Sequence, residues 1–175
     1  MRGRKWGFVY HFPNFVWIIP QKAFKNANFR KGGSKMAFLG SSSYSIDTKK
    51  RVLIPGKYRE ELGNIFYVTR SLEGCLTIYT EEEWAKFQNG LNLLPSTTGV
   101  AAREYFMSVA QRCQPDASGR ILLEDPLLQH AKVNKNVVFV GAGHVMNIWA
   151  EELWSAREAN RDLDGIRTLL QQFGL

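Results

Sequence analysis

The chain has 175 residues, 45% hydrophobic and 22% charged, which is globular composition for one ordinary domain or two very small ones sharing a core. No run of about 18 apolar residues is present, which excludes an ordinary membrane-spanning helix. Two cysteines, Cys75 and Cys113, are too few for a disulfide framework, and the easy reading is a reduced intracellular protein. The net charge of +7 is local: residues 1–35 hold eight basic residues and no acid, while the other 140 hold 15 basic against 16 acidic. A basic pI therefore says nothing about the body, which must bind any polyanion through a local patch.

The leader, 1–35, is basic and aromatic, with Trp6, Phe8, Tyr10, Phe12, Phe15 and Trp17, and shows no sustained helical or strand period. His11, Pro13, Asn14 and Pro20 break its apolar part and no small-residue cleavage pattern follows, which argues against a signal peptide. Lys31-Gly32-Gly33 is encodable as a bacterial ribosome-binding sequence just upstream of Met36. The expectation is that Met36 is the start and that 1–35 is absent from the native protein or disordered.

From there the chain repeats itself. Asp47-Thr48-Lys49-Lys50-Arg51 precedes Val52-Leu53-Ile54; Asp116-Ala117-Ser118-Gly119-Arg120 precedes Ile121-Leu122-Leu123, 69 residues later. Ile78-Tyr79-Thr80-Glu81-Glu82-Glu83-Trp84 matches Ile148-Trp149-Ala150-Glu151-Glu152-Leu153-Trp154 at an offset of 70. Each unit predicts a short strand, a polar turn (47–51, then 116–120) and an apolar strand (52–54, then 121–123). A short helix follows, entered through Pro55 in the first unit and carrying Pro126 near its start in the second. Two further strands, 66–69 and 75–79 or 137–140 and 145–149, are joined by turns containing Gly74 or Gly141 and Gly143. A helix closes each unit, with Thr80 and Glu83 at capping-box spacing in the first. About 45 residues with four short strands bury too little surface alone, so the two β-β-α-β-β units must pair. Helical pattern fills the connector, interrupted by Pro95 and Gly99 before a second helix over 100–110. The tail over 151–173 reads as one further amphipathic stretch.

The doubled Asp-x-x-x-Arg, with Arg59–Gly63 (REELG), Gly74–Tyr79 (GCLTIY) and Glu82–Trp84 (EEW), resembles the MraZ family over about Met36 to Trp154. The resemblance implies an α+β fold of two swapped-hairpin, AbrB-like units forming one intramolecular pseudo-dimeric β-barrel with flanking helices. It assigns 38–84 and 111–154 as the DNA-binding units, 85–110 as a helical connector and 155–175 as a helical tail. It also implies a transcription regulator that represses its own division and cell-wall operon. Such a regulator binds short repeated sequences in double-stranded DNA as a ring-shaped homo-oligomer, in the cytoplasm at the nucleoid. The family's first turn usually reads Asp-x-Lys-Gly-Arg; here Lys50 replaces the glycine, at about 1–2 kcal/mol if the position is left-handed. The second turn keeps Gly119 but lacks the lysine, and Glu124-Asp125-Pro126 follows its apolar strand.

The chemistry of these turns suits DNA. Asp47 and Asp116 can accept backbone N–H bonds and structure the turn, with Gly119 supplying freedom. Arg51 and Arg120, where the turn re-enters a strand, can fork onto a phosphate or onto O6 and N7 of guanine. Lys49 and Lys50 add phosphate attraction, and Lys57 and Arg59 follow on the first helix. The plainer alternative is that each Asp pairs with the Arg four residues on, and that Lys57 and Arg59 lie on a solvated helix face. Two rival functions are weighed. An enzyme is disfavoured: His11, His130 and His144 form no ligand motif, no Cys-x-x-Cys occurs, and Gly141-Ala142-Gly143 reads as a hairpin turn rather than a dinucleotide loop. No cofactor or metal is expected. A structural or membrane-surface oligomer, anchored by the basic aromatic leader, is the other rival.

Overall fold

The computed structural model describes residues 9–12, 15–18 and 38–175. Two compact units are present, 1–34 and 35–175. Of the first, the described part is an antiparallel hairpin of β1 (Val9–Phe12) and β2 (Phe15–Ile18), with Val9 opposite Ile18 and Phe12 opposite Phe15. The sequence carried no strand signal there. Whether the leader belongs to the native protein, and the proposed start at Met36, lie outside the described residues.

The second unit holds both repeats. In the first, β3 (Ser41–Ser45) and β4 (Arg51–Leu53) flank the polar turn, followed by α1 (Gly56–Leu62), β5 (Phe66–Arg70) and β6 (Leu76–Thr80). In the second, β7 (Gln111–Cys113), β8 (Arg120–Leu122), α4 (Asp125–His130), β9 (Asn136–Ala142) and β10 (Val145–Ala150) follow the same order. Between them lie α2 (Glu81–Asn92) and α3 (Val100–Met107). Pro55 stands at the N-cap of α1, where its fixed φ suits a helix start, and Pro126 lies in the first turn of α4. α1 buries Tyr58 and Leu62, four residues apart on one face. At the start of α2 the Glu83 N–H donates to Thr80 Oγ1 at 3.2 Å, and Glu81, Glu82 and Glu83 meet the positive end of the helix dipole.

Six strands form one antiparallel sheet in the order β3-β9-β10-β6-β5-β7, and β4 pairs with β8 in a separate ribbon. Exchanging the two repeats reverses that order onto itself, so the sheet has an internal two-fold. The registers locate the axis: Val52 lies opposite Ile121, and Thr77 lies opposite Asn147 with Thr77 Oγ1 donating to Asn147 Oδ1 at 3.0 Å. Each repeat gives its first strand to the other, β3 to β9 and β7 to β5.

The expected closed β-barrel is not what the described residues build. The sheet is open, with β3 and β7 as its edges. The reason lies in the backbone hydrogen bonds. The first turn is closed at its mouth by the Asp47 N–H, which donates to the Arg51 carbonyl at 2.9 Å. On one side of it, Ile46 donates to Lys135 at 2.7 Å; on the other, Ile54 donates to Gly119 at 2.9 Å. With β3 held by β9 and β4 held by β8, no continuous ladder runs between sheet and ribbon.

Val52, Ile54, Ile121 and Leu123 from the ribbon side meet Phe66, Ile78, Phe139 and Ile148 from the sheet in one core, all essentially without solvent access. Each such side chain stabilises by about 1.5–3 kcal/mol relative to exposure. An aromatic run ties the connector helices to the sheet: Tyr67 stacks on Trp84 at 5.0 Å, Tyr79 on Phe87 at 5.1 Å, and Phe87 meets Phe106 edge-on at 5.0 Å. The tail is not one helix. α5 (Glu151–Ala159) stops and α6 (Leu163–Gln172) restarts, because Asp162 caps the new helix by accepting from the Gly165 N–H at 2.8 Å.

Candidate nucleic-acid interface

The internal two-fold brings both polar turns to the outer side of the β4–β8 ribbon. They are built alike. Asp47 Oδ1 accepts from the backbone N–H groups of Lys49 and Arg51, each at 2.9 Å, and Asp116 Oδ1 accepts from Ser118 at 2.9 Å and Arg120 at 3.0 Å. The Lys50 N–H donates to Asp47 O at 2.9 Å and the Gly119 N–H to Asp116 O at 2.7 Å. That donating residue is itself left-handed, at φ 61° for Lys50 and φ 77° for Gly119. This is a tight turn followed by a left-handed residue that lets the strand leave.

Both aspartates are held below their ordinary value, first by the backbone N–H of the arginine four residues on. A carboxylate receiving two backbone donors is worth more ionised than protonated.

The arginines meet across the axis. Arg51 Nε is 3.0 Å from Asp47 Oδ2 and its Nη1 is 3.5 Å from Asp116 Oδ2; Arg120 Nη1 is 3.8 Å from Asp47 Oδ2. The plainer pairing of Asp47 with Arg51 is thus present, and it extends into a four-residue network between the repeats. The arginine side chains keep 39% and 36% of their surface open to solvent, so water screens these contacts and they hold only weakly. The guanidiniums remain available to a stronger anion.

The other four predicted cations divide. Lys49 is exposed beside the network. Lys50 reaches across the axis to Asp125, its Nζ 2.6 Å from Oδ1 and 2.8 Å from Oδ2. Lys57 lies apart, its Nζ 4.6 Å from the Tyr58 ring centroid and 3.5 Å from the Ser41 carbonyl. Arg59 Nε donates to the Ile54 carbonyl at 2.9 Å, and its guanidinium lies on Gly119, where an added Cβ would come within 2.6 Å of both terminal nitrogens. Glycine is favoured here by the left-handed φ, and a side chain would also have to displace the Arg59 guanidinium. Beside them Ile54, Leu62, Phe66, Pro115 and Asp116 line an open cleft of about 250 Å³.

Two features were not read from the sequence. Asp125 was noted only as a departure; its partner Lys50 is 75 residues away, and no local spacing reports that. Leu53 and Leu122 belong to the expected apolar strands, and strand alternation places them outward with the arginines. The Arg-x-Leu spacing in both repeats was the available signal. Among the described residues no cluster of three or more His, Cys, Asp or Glu could hold a metal ion. Nor is any helix there long and apolar enough to cross a membrane.

The family described as "MraZ protein, putative antitoxin-like" matches residues 37–104 and 106–167, one match for each repeat. The second match runs beyond Trp154 through α5 into α6. A protein of Lachnoclostridium phytofermentans named transcriptional regulator MraZ is 39% identical over 139 residues, covering 79% of this chain and 98% of its own. A Thermoanaerobacter protein of the same name is 39% identical over 127 residues, 71% of this chain and 89% of its own. The Ligilactobacillus salivarius protein so named is 39% identical over 142 residues, 79% of this chain and 99% of its own. Two family matches on the two structural repeats, with relatives covered almost end to end, show that the chain belongs to the MraZ family.

Proposed function

We propose that this chain is a sequence-specific, double-stranded DNA-binding transcription regulator rather than an enzyme. One observation carries the reading: the internal two-fold sets Arg51 and Arg120 side by side on the outer face of the β4–β8 ribbon. Two turns related by a two-fold suit a pair of half-sites, as two-fold proteins suit palindromic DNA. In this reading 38–84 and 111–154 are the binding units, 85–110 joins them, and 155–175 serves assembly. Arg51 and Arg120 reach base edges, Lys49 and Arg59 reach phosphates, and Asp47 and Asp116 hold the turns ionised. Lys50, engaged by Asp125, contributes less than its charge suggests, and Lys57 is peripheral. The name carried by the relatives supports regulation of transcription.

The finer parts of the proposal follow from charge. Beyond its two base-reading arginines one chain offers about two phosphate contacts, which is weak at physiological salt. A ring of several chains, bound to short repeats upstream of its own division and cell-wall operon, gains by effective concentration and represses that operon. That places the protein in the cytoplasm, at the nucleoid. Electrophoretic mobility shifts on upstream DNA carrying one, two or three repeats test it. Affinity rising steeply with repeat number supports a multivalent regulator; one repeat bound as tightly as three contradicts it.

A further inference from the structure

The outer face of the β4–β8 ribbon carries more than charge. Alternation along the strands turns Val52 and Ile121 into the core and leaves Arg51, Leu53, Arg120 and Leu122 outward. The register sets Arg51 opposite Leu122 and Leu53 opposite Arg120. Each guanidinium therefore has a leucine beside it across the ribbon. Leu122 keeps 49% of its surface exposed, and Leu53 is half-buried. The Leu122 backbone is also anchored. Gln111 bonds the backbone at and beyond it, Nε2 donating to the Leu122 carbonyl at 2.8 Å and Oε1 accepting from the Glu124 N–H at 3.3 Å.

A two-stranded ribbon fits the major groove of B-DNA, about 12 Å wide. The groove floor is polar except for one group, the C5-methyl of thymine. A guanidinium that forks onto guanine and a leucine beside it are complementary to neighbouring guanine and thymine. A protein surface is a poorer occupant, because covering Leu122 would also desolvate Asp47, Arg51, Asp116 and Arg120; the phosphates of DNA instead match the exposed cations.

We propose that Leu122, with its counterpart Leu53, is a specificity-determining contact that reads the C5-methyl of a thymine adjoining the guanine met by Arg51 or Arg120. This rests on the DNA-binding reading above and adds to it the base that the apolar side chains select.

The test uses the full chain and two duplexes of one sequence, the DNA upstream of its own gene. One duplex is natural; the other carries deoxyuridine at every thymine, which removes only the methyl groups. A scrambled duplex is the reference. Wild type is expected to bind the uracil duplex about fourfold more weakly for each methyl contacted, the factor for burying one such group. Leu122→Ala and Leu53→Ala should each shrink that ratio, and Leu122→Met should keep it. Half-exposed Leu122 tolerates truncation, and circular dichroism checks the fold. Equal wild-type affinity for thymine and uracil duplexes, both above the scrambled one, overturns this inference and leaves the DNA-binding reading standing. An unchanged ratio in both alanine variants overturns it too. So does an unchanged ratio with an altered assembly mass in Leu122→Ala, which would make the leucine a subunit contact. No preference for upstream over scrambled DNA in wild type overturns the DNA-binding reading and this inference with it.

Discussion

Lys50 and Asp125 belong to opposite repeats and are joined at 2.6 Å, at the positions that Gly119 and Gly56 occupy in the other half of the pseudo-dimer. Where one half has a pair of glycines, the other has an ion pair across the axis. The pair is exposed, so its direct worth is about 0–1 kcal/mol. Left-handed backbone at Lys50 costs about 1–2 kcal/mol. Lys50→Gly removes both and loosens the unfolded chain, an opposing term of about 0.4–1 kcal/mol. Urea denaturation of Lys50→Gly should therefore give a stability between about 1 kcal/mol below and about 1.6 kcal/mol above wild type.

Releasing Lys50 should show in DNA binding rather than in folding. Asp125→Ala leaves the ammonium free for a phosphate. The slope of log affinity against log salt should steepen by about one for each such contact. An unchanged slope would mean that Lys50 points away from the DNA.

Gly119 is the intolerant partner of that comparison. An added Cβ would sit 2.6 Å from Arg59 Nη1 and Nη2, at a φ of 77°. Gly119→Ala should cost at least the 1–2 kcal/mol or so of a left-handed alanine. Arg59→Ala in the same chain should recover only the steric part, so a double-mutant cycle should show coupling between these two sites.

The turn aspartates predict an acid limb. Asp47 and Asp116 are depressed below the ordinary 3.8 by the arginine backbone N–H bonds. A depressed carboxyl contributes stability above its unfolded value and loses it as pH falls through the folded one. Stability should thus hold from neutrality down to about pH 4 and decline below it. Asp47→Asn, which keeps an oxygen acceptor without the charge, should decline less steeply between pH 4 and 2 in thermal melts.

The two thiols should be silent in the folded protein. Burial pushes Cys75 up to about 11 and Cys113 up to about 12, so neither forms thiolate near neutrality. Ellman's reagent at pH 8 should label neither until denaturant is added. Rapid labelling of the native chain would contradict the burial of the two cysteines.

Much of the fold was legible because it occurs twice. Asp47 and Asp116 sit at matched turns, Pro55 and Pro126 at matched helix starts, and four strands and a short helix recur in order. The open sheet was not legible. Whether six strands close depends on which backbone groups are already bonded, and Ile46 to Lys135 and Ile54 to Gly119 are contacts distant in sequence. The broken tail turned on one cap, Asp162, hidden inside a pattern that looked continuous. At the site, residue types within each turn could be read locally. The cross-axis pairs Arg51–Asp116, Arg120–Asp47 and Lys50–Asp125 could not, because they exist only once the repeats face each other.

The central claim is that the paired turns bind DNA through Arg51 and Arg120. Fluorescence anisotropy of the full chain on DNA from upstream of its own gene, against scrambled DNA and over a salt series, tests it most directly. Wild type should prefer the upstream duplex with a steep salt slope. Arg51→Ala should cost about 1–3 kcal/mol on that duplex, between roughly fivefold and over a hundredfold, and erode the preference. Equal binding to both duplexes, with Arg51→Ala and Arg120→Ala unchanged, would contradict the claim and leave the turns a purely structural seam between the two repeats.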